Sequence, residues 1–513
     1  MYALIELPKQ LDRFVVLPKK DGKQYVMMLD DLIRYNFHLI FNMFNYTSIE
    51  AHMVKITRDA ELDLEEDVGK SYVEKIRNSV KERMIGDPVR LVYDKTIAES
   101  TLLFIMKKMG ISSTDSLIPG GKYHHRRDYM NFPSLNRGDL LYPAVTPLEI
   151  KGLRLDGNIL KAISEKDYLL YAPYHNYYYV IKFLREAALD PKVKTIKITL
   201  YRLSQNSQVV SSLINAAKNG KKVTVQIELQ ARFDEKNNII FAERLEAAGV
   251  HLIFGVPGLK VHTKICLIER EEGNKLKRYG FISSGNFNET TAKIYTDYTL
   301  FTAHQKVLKD VGKVFGFFEV NYKIKSYKHL IVSPHYTATI LNKLIDKEIE
   351  NVLAGKPAKI RLKLNSITNY KIIDKLYKAS NAGVEVHMIV RGVCCLIPGI
   401  NGMSERIEVI SIVDKYLEHP RVYIFENDGS PKMYISSADL MTRNIDNRVE
   451  VACPIYDLDL QKQLLDTFLI SWNDNVKARI LNGKDQNVFK KTNAKPYRSQ
   501  WEMYEYFKAQ LAE

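Results

Sequence analysis

The chain has 513 residues, 46% of them hydrophobic and 26% charged, with a formal net charge of +15 at pH 7. This length allows about three domains of roughly 150 residues, and no apolar run approaches the roughly 18 residues of a membrane span. The excess of basic residues indicates a polyanionic partner (nucleic acid, an anionic membrane surface or a phosphate polymer) or serves only to keep the protein in solution.

The sequence has four cysteines, and they lie in apolar, strand-like segments without the spacing of a zinc site: Cys266, Cys394, Cys395 and Cys453. We expect all four to be small core residues of a protein in a reducing compartment. The first residues lack the basic segment and apolar run of a cleavable signal peptide. Both features predict a cytoplasmic protein.

The first predicted unit, residues 1–148, is a partial α+β domain that we expect to begin upstream of this sequence. Apolar residues at helical spacing predict a helix over 67–84. Segment 119–133, PGGKYHHRRDYMNFP, combines glycines, histidines and basic residues with aromatic ones. That composition suits a loop that contacts phosphate, and it equally suits a solvated basic turn.

The second predicted unit, residues 149–329, has the pattern of an α/β domain. A helix that ends near Asp190 precedes a strand, a helix with a glycine cap and a second strand. The two strands end in Arg202 and Arg232. Ligands of open α/β sheets bind beyond the carboxyl ends of the strands, and a guanidinium offers planar donors for phosphate oxygens. The alternative role for both arginines is a surface ion pair.

Segment 261–270, VHTKICLIER, follows a turn rich in glycine and proline and has the apolar character of a strand. His262 and Lys264 are two residues apart, so both side chains should point to the same face of that strand. An imidazole beside a cation can act in catalysis. It can also be a half-buried core histidine near a surface lysine.

The third predicted unit, residues 330–513, repeats the plan of the second. A strand, a glycine-capped helix and a strand recur, and Arg391 ends the second strand near the place of Arg232. The tail after Trp472 is basic and has a helical pattern. An internal duplication of this length indicates two homologous domains.

The histidine motif itself is present twice. EHPRVYIFE, residues 418–426, repeats the histidine–cation spacing with His419 and Arg421. A glutamate follows each histidine by seven positions, as Glu269 and Glu426 (269 − 262 = 426 − 419 = 7). Each copy precedes a strand that ends in two serines and is followed by polar residues, which are Asn286 and Asn288 in one copy and Asp439 and Asn444 in the other.

Two homologous domains related by a pseudo-twofold axis would bring the two histidine motifs to one cleft. One imidazole can then attack phosphorus and form a phosphohistidine, which divides one displacement into two. Phosphoryl transfer otherwise requires alignment and positive charge around the equatorial oxygens. The basic residues available for this are Lys264, Arg202, Arg232, Arg391 and Arg421. The sequence therefore predicts phosphoryl or phosphodiester transfer.

The sequence resembles the histidine-phosphorylating (first) family of polyphosphate kinases, which is itself similar to the phospholipase D superfamily. The resemblance covers essentially the whole chain and rests on ELQARFDE from Glu228, PGLKVHTK from Pro257, SSGNFNETTAKIYTDY from Ser283, VRGVCCLIPG from Val390, SIVDKYLEHPRVYIFEN from Ser411 and ISSADLMTRNIDNRVEV from Ile435. It implies two tandem phospholipase D-like α/β domains, each a mixed sheet flanked by helices, after a partial α+β head domain.

The resemblance implies reversible transfer of the terminal phosphate of ATP to inorganic polyphosphate through a phosphohistidine at His262, with ATP regeneration in reverse. It assigns contacts with the nucleotide phosphates to His419, Tyr295 and Arg391. For His419, the residues alone leave open the roles of acid, base and phosphate ligand. Tyr295 can stack or donate a hydrogen bond, or it can be a core aromatic of a strand.

The resemblance also places Arg202 and Arg232 at a site that carries Mg²⁺ and phosphate. An arginine cannot ligate Mg²⁺ directly, so we expect both to bind phosphate oxygens beside the metal. By inference, Lys264 is a phosphate clamp on the same face as His262. Glu269 has the opposite strand parity, and we expect it to orient or close the motif.

The partners implied are ATP or ADP and inorganic polyphosphate, in a homo-oligomer that is a dimer or a tetramer. No nucleic acid is expected, and at most a peripheral association with a membrane. Family members begin with a helical domain and the front of the head domain, and neither is matched in this sequence. Two alternatives are a phosphodiesterase or phosphatidyltransferase of the phospholipase D type and an inactive polyanion-binding fragment. Glutamate in place of the phospholipase D aspartate argues against the former.

Overall fold

The computed structural model describes residues 1–8, 10–58, 88–112, 116–229, 235–323, 325–484 and 487–512. The helix predicted over 67–84 and Arg232 lie outside these residues. The chain forms two compact units, Met1–Ala144 and Val145–Glu513. The bounds predicted from the sequence, 1–148, 149–329 and 330–513, stay predictions. We call 149–329 the first repeat and 330–513 the second repeat.

The unit Met1–Ala144 contains small sheets and short helices. Its strands are Phe14–Val16 (β1), Val26–Met28 (β2), Val54–Arg58 (β3), Pro88–Asp94 (β4) and Ser116–Gly120 (β5), and its α-helices are Leu29–Tyr35 (α1), Phe37–Ile40 (α2) and Glu99–Met109 (α3), with 3₁₀ helices at Arg126–Asn131 and Gly138–Leu140. In the predicted phosphate loop, Lys122 pairs with Asp31 at 2.7 Å. Asp31 thus supplies a counter-charge to one basic residue of that loop.

The first repeat is a mixed sheet with helices on it. Its strands are Tyr168–Ala172 (β6), Val193–Leu200 (β7), Lys222–Ile227 (β8), His251–Phe254 (β9), Lys260–Val261 (β10), Ile265–Glu272 (β11), Lys275–Ser283 (β12) and Tyr295–Thr302 (β13). Its helices are Ile159–Glu165 (α4), Tyr178–Leu189 (α5), Gln208–Lys218 (α6), Glu235–Ala247 (α7) and Gln305–Glu319 (α8), with a 3₁₀ helix at Thr291–Lys293.

The second repeat has the same plan. Its strands are Ile331–Val332 (β14), Lys359–Leu364 (β15), Glu385–Val390 (β16), Ile407–Ile412 (β17), Leu417–Glu418 (β18), Arg421–Phe425 (β19), Lys432–Ser436 (β20), Arg448–Val449 (β21), Val451–Pro454 (β22) and Ala478–Ile480 (β23). Its helices are Thr337–Leu353 (α9), Tyr370–Ala382 (α10), Thr442–Asp446 (α11), Leu458–Trp472 (α12) and Ser499–Ala512 (α13).

The two sheets have equivalent strand orders. The first runs β13-β12-β11-β7-β8-β9, and the second runs β22-β20-β19-β15-β16-β17. Strands β7, β8 and β9 are parallel in the first sheet, as are β15, β16 and β17 in the second, and the strands on the other side of β7 or β15 are antiparallel. Arg202 and Arg391 therefore lie just beyond the carboxyl ends of β7 and β16.

Local sequence explains why the repeated helices begin and end where they do. Ser207 caps α6, and Asn369 caps α10, each by accepting a backbone N–H three residues ahead. Gly220 (φ 77°) and Gly383 (φ 108°) follow the two helices in the left-handed region that glycine adopts without a steric penalty. These caps fix the entry into β8 and β16.

One apolar core runs through both repeats. It includes Ile265 and Leu300 of the first repeat and Ile410 and Ile435 of the second, all at most 3% exposed. Burial of a shared core is the main reason for the two repeats to pack as one unit, because the hydrophobic effect scales with the apolar area removed from water. The relative position of the two repeats is thus set by packing.

Two expectations about the chain are wrong. All four cysteines are free thiols, but only Cys266 and Cys453 are buried, while Cys394 is half-buried and Cys395 is exposed. The tail after Trp472 forms β23 before α13, because residues 478–480 complete the edge of the second sheet. Among the helices that the structure describes, none is both long enough and apolar enough to cross a membrane.

Candidate active site

The first histidine motif lies in a break between two strands. β10 leaves its own sheet and pairs in parallel with β21 of the second repeat, and the His262 N–H donates to the Val449 carbonyl at 2.9 Å. β11 begins only at Ile265. Residues 262–264 are therefore not part of a strand, contrary to the expectation, although the side chains of His262 and Lys264 both lie beside the Tyr201 ring.

A carboxylate of the second repeat contacts His262. Its Nδ1 lies 2.9 and 3.0 Å from the two oxygens of Glu450, whose side chain is only 1% exposed. Ser437 and Asn444 also donate to Glu450, at 2.5 and 2.7 Å. When Glu450 is ionised it only accepts, and in that state the contact places the imidazole proton on Nδ1 and leaves the lone pair of Nε2 free.

Burial controls the charge of this pair. It raises the pKa of Glu450 to about 7, although nearby cations oppose the shift. Burial also lowers the pKa of His262 well below its usual value, and the charges of Lys264, Arg448, Arg421 and His419 act in the same direction. His262 is therefore a neutral imidazole at pH 7, which is the form that can act as a nucleophile.

The second histidine motif has the mirror arrangement. Nδ1 of His419 lies 2.8 and 3.0 Å from the oxygens of Asp297, which belongs to the first repeat, and Ser284 donates to the same carboxylate at 2.7 Å. β18, just before His419, pairs in parallel with β13 of the first repeat. Burial lowers the pKa of His419, while Asp297 opposes that shift.

Each repeat thus supplies the carboxylate that orients the histidine of the other. The sequence reasoning missed both of these carboxylates, Glu450 and Asp297. The signal that would have found them is the repeat itself. Asp297 and Glu450 follow Ser283 and Ser436, the first residues of the duplicated serine pairs, by the same distance (297 − 283 = 450 − 436 = 14). The structure therefore brings the two motifs together as the pseudo-twofold hypothesis requires.

Tyr201, which the sequence reasoning also missed, lies at the centre of the cations near His262. Its ring is edge-on to the His262 imidazole, with centroids 5.0 Å apart. Three cationic groups lie over or beside this ring, those of Lys264, Arg202 and Lys260 at 5.2, 5.8 and 5.8 Å from its centroid. Arg202, predicted at a strand end, is thus part of the His262 site.

Lys264 is 2% exposed, and its ammonium donates to the carbonyl of His262. Burial lowers the pKa of Lys264 well below its usual value, and the charge of Glu450 opposes this shift. A phosphate that enters the site adds negative charge and so favours the protonated form of this lysine. Lys264 is therefore placed to respond to an anionic substrate.

Arg421 holds the second motif in place. Its guanidinium pairs with Asp439 at 3.0 Å, donates to the His419 carbonyl at 3.0 Å and lies 3.2 Å from Nε2 of the same histidine. The Asp439 carboxylate also accepts from the backbone N–H of Asn365 at 2.8 Å. Because a carboxylate of its own repeat neutralises it, Arg421 acts mainly on the geometry of His419.

Tyr295 and Arg391 lie beside His419. The rings of Tyr295 and His419 have centroids 5.3 Å apart. Arg391 follows β16 and donates through Nε to Asn365 at 2.6 Å, and Asn365 in turn donates to the His419 carbonyl at 3.3 Å. Burial and the charge of Arg421 lower the pKa of Arg391. The structure therefore groups three of the predicted nucleotide contacts.

The two glutamates of the motif spacing are not part of the site. Glu269 pairs with Arg278 at 3.2 Å, and Glu426 pairs with Arg361 at 2.8 Å, both within their own sheets. The orienting role expected for Glu269 is wrong, because β11 carries it away from the histidine. Glu450 orients His262 instead.

The duplicated α/β core brings two histidine–carboxylate pairs into one site surrounded by cations. This arrangement is typical of an enzyme that transfers phosphoryl groups. Three polyphosphate kinase profiles match the chain, the middle domain at residues 1–132, C-terminal domain 1 at 158–325 and C-terminal domain 2 at 330–500. The chain belongs to the polyphosphate kinase family.

Similar proteins agree with this assignment. Polyphosphate kinase of Vibrio parahaemolyticus is 45% identical over 99% of this chain and 74% of its own length, and that of Escherichia coli K12 is 44% identical over 99% and 75%. The crystal structure of polyphosphate kinase from Porphyromonas gingivalis superposes with a TM-score of 0.83 at 36% identity, covering 98% of this chain and 74% of that one. The predicted family, α/β fold class and enzyme class, an ATP:polyphosphate phosphotransferase, are confirmed.

Proposed function

We propose that the chain transfers the terminal phosphate of ATP reversibly to inorganic polyphosphate through a phosphohistidine on Nε2 of His262. The observation that carries this proposal is the contact of His262 Nδ1 with the buried Glu450 at 2.9 Å. It fixes the tautomer that presents a lone pair on Nε2. Membership in the polyphosphate kinase family supplies the substrates.

In the first step, Nε2 of His262 attacks the γ-phosphorus of ATP. An N–P bond forms, the bond from the γ-phosphorus to the β,γ-bridging oxygen breaks, and ADP leaves with the electron pair. The imidazole becomes positively charged, and Glu450, which accepts from Nδ1–H, stabilises that charge. No proton leaves Nε2 in this step.

In the second step, a terminal oxygen of polyphosphate attacks the phosphohistidine, so that a P–O bond forms and the P–N bond breaks. The chain grows by one phosphate, and His262 returns to its neutral form. Asp297 accepts from Nδ1–H of His419, so His419 donates to the phosphates of the nucleotide through Nε2 once the incoming negative charge has protonated that nitrogen. In reverse, the same two steps regenerate ATP from polyphosphate.

The cations around the two histidines serve the phosphates. Lys264 and Arg202, near Tyr201, bind the oxygens of the transferred group. Arg391 and Tyr295 bind the nucleotide beside His419. We assign the same phosphate-binding role to Arg232, on the family resemblance alone.

The residues of this site do not fit Mg²⁺ as direct ligands. In the part of the chain that the structure describes, no group of three or more His, Cys, Asp or Glu could hold a metal ion. Arg202 has no lone pair to donate, whereas Mg²⁺ is commonly bound through substrate phosphates and water. We therefore propose that Mg²⁺ enters with the phosphates of ATP.

We further propose that the protein is cytoplasmic and forms a dimer or tetramer, with at most a peripheral association with a membrane and no nucleic-acid partner. The four free thiols are consistent with a reducing compartment. Gel filtration with light scattering measures the oligomeric state. A monomer at working concentration would contradict the oligomer.

The proposal is tested by labelling with γ-³²P-ATP. We expect an acid-labile, alkali-stable label on the wild-type chain that is absent from His262→Ala. His251→Ala, which removes an exposed histidine on β9, is the matched control and should keep full labelling. Equal labelling of His262→Ala would overturn the proposal. Release of diester products without ATP would favour phospholipase D-type chemistry instead.

A further inference from the structure

A cavity of about 680 Å³ lies between the sheet of the first repeat and α8. Strands β7, β11 and β12, helix α8 and residues 325 and 326 line it. It is separate from the histidines. Its lining residues on β11, Leu267 and Glu269, stand about 7 and about 13 Å along the strand from Ile265, since a strand rises ~3.3 Å per residue. Cavities of this volume are typical of small-ligand sites.

Positive charge dominates the cavity wall. The lining includes five cationic side chains, Lys197, Arg278, Lys309, Lys313 and Lys325, and one acidic side chain, Glu269. Three of the five already pair with an acid, Arg278 with Glu269, Lys197 with Glu319 and Lys313 with Asp310. Lys309 and Lys325 form no ion pair with any acid that the structure describes.

Two glycines of α8 keep the cavity open. Gly312 and Gly316 are one turn apart and both line it. A Cβ on Gly316 would meet nothing within 4 Å, and one on Gly312 would meet only a methyl group of Leu267 at 3.6 Å. Neither position has the positive φ that requires glycine. Glycine weakens the interior of a helix, so packing and backbone geometry give no reason for these two residues.

The second repeat shows what the same positions do without a cavity. Its helix α12 and α8 both have 15 residues and a side-chain cap at the residue before the first. The eighth and twelfth residues, glycines in α8, are Leu465 and Leu469 in α12, and both pack against the core. The ninth, Lys313 in α8, is Asp466, which accepts from Tyr506 of α13 at 3.0 Å. Helix α13 thus covers the face that the first repeat leaves open.

We propose that this cavity is a second binding site for inorganic polyphosphate, distinct from the histidine cleft. Every unit of a polyphosphate chain carries negative charge. The lining of the cavity has five cationic side chains and no aromatic ring on which a nucleotide base could stack. A growing chain held there stays with the enzyme between transfers. This inference rests on the proposed function, because it takes polyphosphate as the substrate.

The test is calorimetric titration of tripolyphosphate into the full chain carrying His262→Ala, which cannot turn over. We expect two classes of site. Lys309→Ala with Lys325→Ala should weaken one class about tenfold, the size expected for lost charge-assisted contacts. Gly312→Leu with Gly316→Leu, which copies α12, should remove that class. The matched control is Lys462→Ala, because Lys462 is the residue of α12 equivalent to Lys309.

The outcomes distinguish failure of the second polyphosphate site from failure of the proposed phosphohistidine mechanism. Loss of one class in both cavity variants, with Lys462→Ala unchanged, supports a polyphosphate site. An unchanged isotherm in the two-lysine variant overturns it, and so does equal binding of a single-stranded DNA oligonucleotide that depends on the same lysines. Circular dichroism checks that each variant is folded. If the leucine variant is unfolded, the result for the two-lysine variant alone decides the test. Failure of His262 to take label contradicts the proposed function and leaves this isotherm unaffected.

Discussion

The two repeats have the same strand order and the same histidine–carboxylate contact, yet they differ in the charge around the histidine. In the second repeat, Arg421 is neutralised by Asp439 at 3.0 Å. The equivalent of Asp439 in the first repeat is Asn286 (439 − 286 = 450 − 297 = 153), which carries no charge. Lys264 therefore has no such partner in its own repeat. Duplication supplied two similar half-sites, and one substitution leaves Glu450 of the other repeat as the main counter-charge of Lys264.

The largest expected effect concerns the two orienting carboxylates. Glu450→Gln should slow phosphorylation of His262 about a thousandfold, because an amide can donate to Nδ1 and move the imidazole proton to Nε2. Asp297→Asn should slow it about a hundredfold, as His419 only assists. Rapid-quench measurement of the label on His262 compares the two rates.

The control for both variants is Glu426→Gln, which removes a carboxylate paired with Arg361 in the sheet of the second repeat. It should leave the phosphorylation rate within a factor of about two. Equal losses for Glu450→Gln and Asp297→Asn would contradict the division of roles between the repeats.

The next effect is on stability. Lys363 is 3% exposed and pairs with Glu418 at 2.7 Å. Lys363→Met should lower the free energy of unfolding by about 3–5 kcal/mol, because it leaves Glu418 buried without a counter-charge. Its equivalent in β7 is Thr199, and Thr199→Val should cost only about 1–3 kcal/mol, the penalty for lost hydrogen bonds.

Urea denaturation followed by tyrosine fluorescence measures both changes. The double variant Lys363→Met with Glu418→Gln serves as the control, since it removes both charges, and it should recover much of the lost stability. A cost for Thr199→Val as large as that for Lys363→Met would show that the ion pair is not what distinguishes the two strands.

The pH dependence is a smaller effect that also separates the half-sites. The pKa of Glu450 is raised to about 7, so its carboxylate loses its charge as the pH falls below 7 and no longer stabilises the imidazolium. His262 stays neutral over this range, since its pKa is lowered well below the usual value. Phosphorylation should therefore slow about tenfold between pH 8 and pH 6. A Glu450→Gln variant with the same pH profile would contradict this assignment.

The smallest effect tests the substitution that distinguishes the repeats. Asn286→Asp should give Lys264 a permanent partner, as Asp439 does for Arg421, and so weaken its interaction with phosphate. We expect the KM for ATP to rise about fivefold, which corresponds to roughly 1 kcal/mol of Coulomb energy in a partly solvated site. Asn288→Asp, two residues further on, is the control. An unchanged KM for Asn286→Asp would show that the charge at this position is irrelevant.

Much of the site followed from the sequence because the repeat is visible in it. His262 and His419 were found from their matched spacing to a cation, and Arg202 and Arg391 from their places at strand ends. Glu450 and Asp297 were missed, although the serine pairs were in register, because a carboxylate that belongs to the other repeat has no local pattern. Glu269 is the converse case, because its spacing from His262 matches the motif and predicts an orienting role, whereas its side chain pairs with Arg278.

The sequence by itself determined the strands, the capped helices and the duplicated α/β plan, because these depend on local propensities and periodic apolar residues. It also determined the two histidines and the polyphosphate kinase resemblance. Only the tertiary structure decided which carboxylate orients which histidine, how cations gather around Tyr201, and that α8 leaves a basic cavity where α12 is packed. Those features depend on contacts between residues far apart in the chain, which form only when the shared core brings the two repeats together.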